Sequence, residues 1–242
     1  MKLSVIIPAY NEGKHIKANL FEISDALVAI DDEVEILVVN DGSSDNTKSE
    51  IIEASNERPE IIYAGYDVNR GKGGAIKHGV EQASGDVIAF IDADLDLSPK
   101  HIIDYYAHMK ESNCDIVIGS KMHKDSKLDY PPARKFFSWG YYVLLKILFG
   151  MSIKDTQTGV KMYKSKFIKK VTPALRVSGY AFDIEILALC NHDGAKIDEM
   201  PVEIIFRREE SFGRIRFKDI WKMFTDTIGI WWNLRVVRSY FK

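Results

Sequence analysis

Asp92, Asp94 and Asp96 alternate with Ala93 and Leu95 directly after a short apolar run, Val87 to Ile91. In an extended or turning backbone, that alternation brings the three carboxylates to one side. Clustered carboxylates repel unless a cation neutralises them, and hard oxygen donors with room for phosphate oxygens suit Mg2+ or Mn2+. An isolated DxD is more often a solvated acidic turn or a cap, here before Ser98-Pro99. An EF-hand loop is excluded, because Leu97 stands at its required Gly and Ile103 at its bidentate Glu. A second candidate is Gly71-Lys72-Gly73-Gly74. No Ser or Thr follows Lys72 and the upstream Gly is missing, so this is no phosphate loop, and Ile76 breaks the dinucleotide fingerprint. A Gly-rich entry into a helix still offers backbone N–H groups, and Lys72 a charge, to a diphosphate. A helix start packed tightly against a sheet explains the same glycines equally well.

Other chemistry is thin. His101 and His108 are seven apart with no partner Glu or Cys pattern, so the histidines read as surface or internally satisfied side chains. Cys114 and Cys190 sit in no Gly-rich turn and beside no recognisable base, and no Ser-His-Asp arrangement is visible.

The elements that must position these residues alternate between β and α. Leu3 to Ile7 reads as a strand stopping at Pro8, and Glu12 to Ala29 as a helix with Ile16, Leu20, Ile23 and Leu27 on one face. Ile36 to Val39 is a second strand, followed by a helix capped by Ser44 or Asp45. Ile61 to Ala64 is a weaker third strand, Asn69 to Gly79 opens a helix, and Val87 to Ile91 is a fourth strand. Continuous apolar strands separated by helices predict a parallel sheet covered on both faces. Ligands of such sheets sit beyond the carboxyl ends of the strands. Those ends carry Pro8-Ala9-Tyr10-Asn11-Glu12, Asn40-Asp41-Gly42-Ser43, Asp67 to Gly73 and Asp92-Ala93-Asp94. Beyond them the pattern loosens into a strand at Ile116 to Ile118, helices at Arg134 to Phe149 and Gly179 to Asn191, a strand at Ile197 to Phe206 and a last helix from Phe217 to Tyr240.

The 242 residues are 46% hydrophobic and 28% charged, which excludes disordered, collagenous and disulfide-scaffold classes. The formal net charge of −2 hides a split. Residues 1–120 hold 10 Lys/Arg and 22 Asp/Glu, giving −12, whereas residues 121–242 hold 23 and 13, giving +10. No charged-then-apolar leader precedes Ser4, and no uncharged apolar run nears the roughly 18 residues of a spanning helix. A cytoplasmic protein without a transmembrane anchor is the expectation.

Taken together, four signatures resemble the family 2 glycosyltransferases of the GT-A fold: Val5 to Glu12, Val39 to Asp45, Asn69 to Ala75 and Asp92-Ala93-Asp94. Each is weak alone; four in the right order are strong. Gly119-Ser120-Lys121, Arg134, Asp155 to Met162, Gly179 to Glu185 and Glu199 to Glu203 narrow the likeness to the polyprenyl-phosphate glycosyltransferases, similar to dolichol-phosphate mannose and glucose synthases. The resemblance spans nearly the whole chain. It implies an α/β GT-A fold, with a Rossmann-like, mostly parallel sheet flanked by helices and a C-terminal amphipathic elaboration. It also implies one catalytic domain over 1–242, with a nucleotide and metal half at 1–120, an acceptor half at 121–216 and an amphipathic helix at 217–242.

By that resemblance, Pro8, Tyr10, Glu12, Asp41, Lys72 and Asp92 contact the nucleotide, and Asp92, Asp94 and Asp96 surround a Mg2+ or Mn2+ on the donor diphosphate. Asp96 departs from the Gln common in mannose synthases, and Lys121 stands where Arg is frequent. Asp94, Asp155 and Arg134 are the expected catalytic residues, with Lys121, Arg134, Arg207, Arg208 and Arg214 the candidates for the acceptor phosphate. The implied reaction is inverting transfer of a hexose from a GDP-mannose or UDP-glucose type donor to a polyprenyl monophosphate. A soluble or polysaccharide acceptor, or a non-catalytic sugar-nucleotide module, are the alternatives.

Basic residues spread across 121–242 without a binding motif argue against nucleic acid. Phe136 to Phe149 is too broadly apolar for one helix face, so it packs in the core or lies at a membrane interface. Phe217, Ile220, Trp221, Phe224, Ile228, Trp231 and Trp232 fall near one face of the last helix, with Lys218, Lys222, Arg235 and Arg238 available to anionic lipid. Peripheral association with the cytoplasmic membrane face is expected, with a second copy of the chain or a membrane partner subunit as the other candidates to cover these aromatics.

Overall fold

A computed structural model describes residues 1–127, 132–179, 181–205 and 217–240, excepting the side chains of 132–138 and 217–220. Seven strands form one sheet in the order β3-β2-β1-β4-β6-β5-β7. They are β1 (Lys2–Ala9), β2 (Glu33–Asp41), β3 (Ile61–Tyr66), β4 (Val87–Phe90), β5 (Ile116–Ser120), β6 (Lys161–Lys164) and β7 (Ile197–Pro201). The β1–β2, β1–β4, β2–β3 and β5–β7 pairs are parallel, while β6 runs antiparallel to both β4 and β5. The apolar runs that read as strands hold strands, although the one expected over Ile197 to Phe206 ends at Pro201, with Phe206 outside the described residues. β6 is the addition, and it joins the two halves of the sheet.

Helices α1 (Ile16–Leu27), α2 (Thr47–Glu57), α3 (Gly71–Gln82) and α4 (Lys100–Glu111) cross over between the strands of the first half. The face read from the spacing in α1 is the buried one, since Ile16, Leu20, Ile23 and Leu27 are all inside. At the start of α2 the N-cap position is Asn46 rather than Ser44 or Asp45; the Asp45 carboxylate, one residue earlier, accepts from Thr47 N–H at 3.0 Å and Gly13 N–H at 3.0 Å and braces the turn. One core cluster gathers Leu3, Val5, Ile7, Ile36 and Val38 under α1, α2 and α4, and another gathers Ile6, Leu37, Val39, Phe90 and Tyr163 under α3 and α7. Successive residues of β1 and β2 thus feed opposite faces, as a doubly covered sheet requires.

The second half adds α5 (Pro132–Phe149), α6 (Ser165–Val171), α7 (Phe182–His192) and α8 (Phe217–Trp231), the last running into a π-helical turn at Trp232–Val237. In α5, Leu145 and Phe149 enter the core while Trp139 and Ile147 face outward. α8 divides the expected face, with Ile228 and Trp231 half-buried and the rest of its described aromatics exposed. Ile230 and Leu234 are buried, whereas Trp221, Phe224 and Trp232 are exposed. The 3.6-residue period is real, and Trp231 packs half-buried against the core while the other described aromatics face outward. Tyr240 then returns to the core, its hydroxyl donating to buried Glu185 at 2.6 Å. Among the described residues, no helix is long and apolar enough to cross a membrane.

Candidate active site

The crevice lies beyond the carboxyl ends of β1, β2, β3 and β4, where the polar signatures were expected to converge. Pro8 is half-buried near the end of β1, which runs on to Ala9, Tyr10 is 49% exposed, and Asn11 adopts a left-handed backbone at φ 54°. This loop is stitched to the next one. Asn11 N–H donates to Ser43 Oγ at 3.0 Å, Ser44 N–H to Asn11 Oδ1 at 2.9 Å, and Glu12 N–H to Thr47 Oγ1 at 2.8 Å. Exposed Tyr10 is therefore presented on a braced loop.

Asp41 is committed within the protein. Its carboxylate accepts from the Tyr66 hydroxyl at 2.6 Å, Asn69 Nδ2 at 3.0 Å and Arg70 N–H at 2.7 Å. It organises the β3–α3 loop, which in turn delivers Lys72. The glycines at the start of α3 mark close packing, but against the segment leading into α7 rather than against the sheet, as Gly71 meets Ser178 O and Gly73 meets Phe182. A Cβ at Gly73 would lie 2.8 Å from Phe182 Cβ.

The register of β6 explains how the centre is assembled. Phe90 pairs with Lys161 in an antiparallel ladder, so continuing the ladder brings Gly159 opposite Asp92. A Cβ at Gly159 would overlap the Asp92 carboxylate, lying 2.8 Å from its Cγ, so only glycine leaves Asp92 its place. Lys72 forms an ion pair with Asp92. Burial draws the Lys72 pKa down, but Asp92, Asp183 and Asp94 outweigh it and hold the ammonium above its usual range.

Beneath this pair lies a second one that sequence reading missed. Lys161 is 2% exposed; its ammonium contacts Asp183 Oδ1 at 2.7 Å and donates to Thr158 O. Burial lowers the Lys161 pKa against the attraction of Asp183, and burial raises that of Asp183 against the attraction of Lys161 and Lys72. Desolvation thus opposes ionisation at both ends of the pair. The signal was Lys161 itself, a charge in the middle of Val160-Lys161-Met162-Tyr163, which composition assigns to a surface.

Asp92, Asp94 and Asp96 are each half-buried while Ala93, Leu95 and Leu97 are buried, so the alternation is real. The three carboxylates are nonetheless spread apart along a turn. Leu95 is left-handed at φ 58°, Asp96 N–H donates to Asp94 Oδ1 at 3.2 Å, and Asp96 O accepts from Ile205 N–H at 2.9 Å. The chain turns between Asp94 and Asp96. Among the described residues, the three carboxylates do not close within 4.8 Å of one another. Mg2+-type ions bind through one or two carboxylates plus substrate phosphates, so the remaining donor set, Asp92 and Asp94 beside the Gly159 notch, still suits such an ion.

Asp155 is 8% exposed and accepts from Lys121 N–H at 2.9 Å, Gln157 N–H at 3.0 Å and Thr158 Oγ1 at 2.8 Å. Its Oδ2 is also 3.7 Å from Lys121 Nζ. This carboxylate builds the turn before Gly159 and tethers Lys121. Glu199 supports it from β7, accepting from Lys154 N–H at 2.9 Å and Asp155 N–H at 3.2 Å. The side-chain amide nitrogen of Gln157 and the hydroxyl of Ser120 are buried without partners, leaving a donor and a hydroxyl beside the crevice. Neither was singled out from the sequence. Arg207, Arg208 and Arg214 lie outside the described residues, as does the side chain of Arg134.

Comparison with known proteins shows the family and the fold. A dolichyl-phosphate beta-glucosyltransferase of Trichomonas vaginalis is 33% identical over 240 residues, covering 94% of this chain and 72% of that protein. One from Saccharomyces cerevisiae is 32% identical, covering 83% of this chain and 66% of that protein. Among solved structures, Mycobacterium tuberculosis glucosyl-3-phosphoglycerate synthase, in complex with Mn2+, UDP and glucosyl-3-phosphoglycerate, superposes with a TM-score of 0.70 at 19% identity, covering 96% of this chain and 79% of that one. The fold is the α/β GT-A fold. With the glycosyl transferase family 2 profile matching residues 4–172, the chain belongs to that family and is a glycosyltransferase.

Proposed function

We propose that this enzyme transfers glucose from UDP-glucose to a dolichyl-type polyprenyl monophosphate, with inversion at the sugar. The observation that carries the substrate assignment is the 33% identity to a dolichyl-phosphate beta-glucosyltransferase across 94% of the chain. The crevice supplies the chemistry. An acceptor phosphate oxygen attacks the anomeric carbon, the bond from that carbon to the diphosphate oxygen breaks, and UDP leaves with the electron pair. The second pKa of a phosphate monoester is near 6, so the nucleophile is largely ionised at neutral pH and requires no general base.

Asp92 and Asp94 would hold a divalent cation of the Mg2+ or Mn2+ kind, which when bound neutralises charge on the departing diphosphate. Lys72 balances Asp92 and presents a cation at the start of α3, where helix N–H groups favour phosphate. Tyr10 and Glu12 line the nucleotide side together with Pro8, and Asp41 acts through the β3–α3 loop. Lys121, held by Asp155, is the described cation for the acceptor phosphate, with Arg134, Arg207, Arg208 and Arg214 as further candidates. We read residues 1–120 as the donor half, 121–216 as the acceptor half and 217–242 as an interfacial segment of one catalytic domain.

Membrane contact belongs to the same proposal. Trp221 and Trp232 are 63% and 52% exposed, and Trp221 stacks on Phe224 at 5.9 Å between centroids. Lys222, Arg235 and Arg238 are exposed on the same segment. Large aromatics with cations beside them suit the headgroup region of an anionic membrane at the cytoplasmic face. The decisive assay gives the enzyme radiolabelled UDP-glucose, UDP-N-acetylglucosamine or GDP-mannose with dolichyl or undecaprenyl phosphate. Label from UDP-glucose entering the organic phase supports the reading. Label that stays water-soluble with every lipid, or that comes from another donor, overturns it.

A further inference from the structure

At the end of the sheet opposite the crevice, three donors of different elements meet. His108 lies in the last turn of α4, Cys114 in the loop entering β5, and Asp198 in β7. Parallel pairing of β5 with β7 sets Asp198 opposite Val117, three residues beyond Cys114, and α4 packs across this end. His108 Nε2 is 2.9 Å from Asp198 Oδ2, and Cys114 Sγ lies within 4.8 Å of both. Cys114 is 3% exposed, and the Ser112 hydroxyl donates to its sulfur at 3.0 Å.

We propose that His108, Cys114 and Asp198 form a zinc site separate from the catalytic crevice. A nitrogen, a sulfur and an oxygen donor suit Zn2+, which takes three protein ligands with water in a fourth position. Mg2+ and Ca2+ prefer oxygen alone, so the site selects against the cations suited to the crevice. Bond lengths of about 2.0 to 2.3 Å bring tetrahedral ligands roughly 3–4 Å apart, close to the spacing of these donors, which all lie within 4.8 Å of one another. On binding, the Cys114 S–H bond gives way to a Zn–S bond and its proton goes to solvent. Ser112 remains behind the sulfur as a hydrogen-bond donor to the thiolate. The ion would tie α4 to β7, whose next residue, Glu199, holds the turn of Asp155.

Cobalt titration tests the site, because thiolate-bound Co2+ gives a charge-transfer absorption that an all-oxygen crevice cannot produce. The full chain is expected to show this band saturating at one equivalent, to retain it in Cys190→Ser, and to lose it in Cys114→Ser and in His108→Ala. Zn2+ should raise the Tm of the wild type and leave that of Cys114→Ser unchanged, while Cys114→Ser keeps the wild-type circular dichroism. Absence of the band, or a band that survives Cys114→Ser, overturns the proposal. Neither result bears on sugar transfer, so the two readings fail independently.

Discussion

Replacing Lys161 by Met tests the buried pair beneath the crevice. Met keeps the length of the side chain and removes the ammonium, so Asp183, 9% exposed at its side chain, loses its 2.7 Å partner and Thr158 O loses its donor. Removing one member of a buried ion pair strands the other charge, which costs about 3–5 kcal/mol. Replacing both by apolar groups of similar size is often neutral or better, so Lys161→Met/Asp183→Leu should recover to within about 1 kcal/mol of wild type. Urea denaturation followed by circular dichroism reads both, as a shift in midpoint at constant slope.

The pH dependence has a defined sign. Burial holds the Asp183 pKa above its usual range in the folded state, with Lys161 the main opposing influence. The native state therefore keeps a proton through a window in which the unfolded chain has released it, and stability falls as pH rises through that window. Without Lys161 the window widens upward, so the deficit of Lys161→Met should shrink toward acid pH. A single variant costing under about 1 kcal/mol, or a double variant no more stable than the single, would refute the assignment.

Gly159→Ala should displace the Asp92 carboxylate and lower kcat on the order of 100-fold, while Tm stays close to wild type, as steady-state assays and calorimetry would register. Tyr240→Phe removes the hydroxyl that donates to Glu185 at 2.6 Å and should cost about 1–3 kcal/mol by urea denaturation; an unchanged midpoint would show that bond to be idle. Vesicles of anionic lipid at low salt should float the protein, and Trp221→Ala/Trp232→Ala should reduce the floated fraction. Protein left entirely in solution would remove the membrane from the proposal.

The strand ends were legible because each is a continuous apolar run stopped by Gly, Asp, Asn or Pro, a local signal that burial on both faces enforces. Strand β6 was not, since four residues with lysines at Lys161 and Lys164 carry no apolar period. Its antiparallel register is what carries the turn at Asp155 to Asp92, and no local pattern encodes a register between strands so far apart. For the same reason Lys161 and Asp183 passed unnoticed, because a buried pair can be recognised only when both partners are known. The alternation of Asp92, Asp94 and Asp96 was legible, but the left-handed turn at Leu95 was not, as leucine rarely adopts it. The Asp155 side chain accepts two hydrogen bonds within its own turn and a third from Lys121 N–H, 34 residues away in sequence, a link that no local pattern encodes.

In the proposed reaction Asp92 and Asp94 hold a divalent cation on the donor diphosphate while a lipid phosphate attacks. Label carried from UDP-glucose to dolichyl phosphate and extracted into organic solvent, compared between wild type and Asp94→Ala with a divalent cation present, tests this most directly. Wild type should transfer the label and Asp94→Ala, folded by circular dichroism, should not. Undiminished transfer by Asp94→Ala would contradict the site.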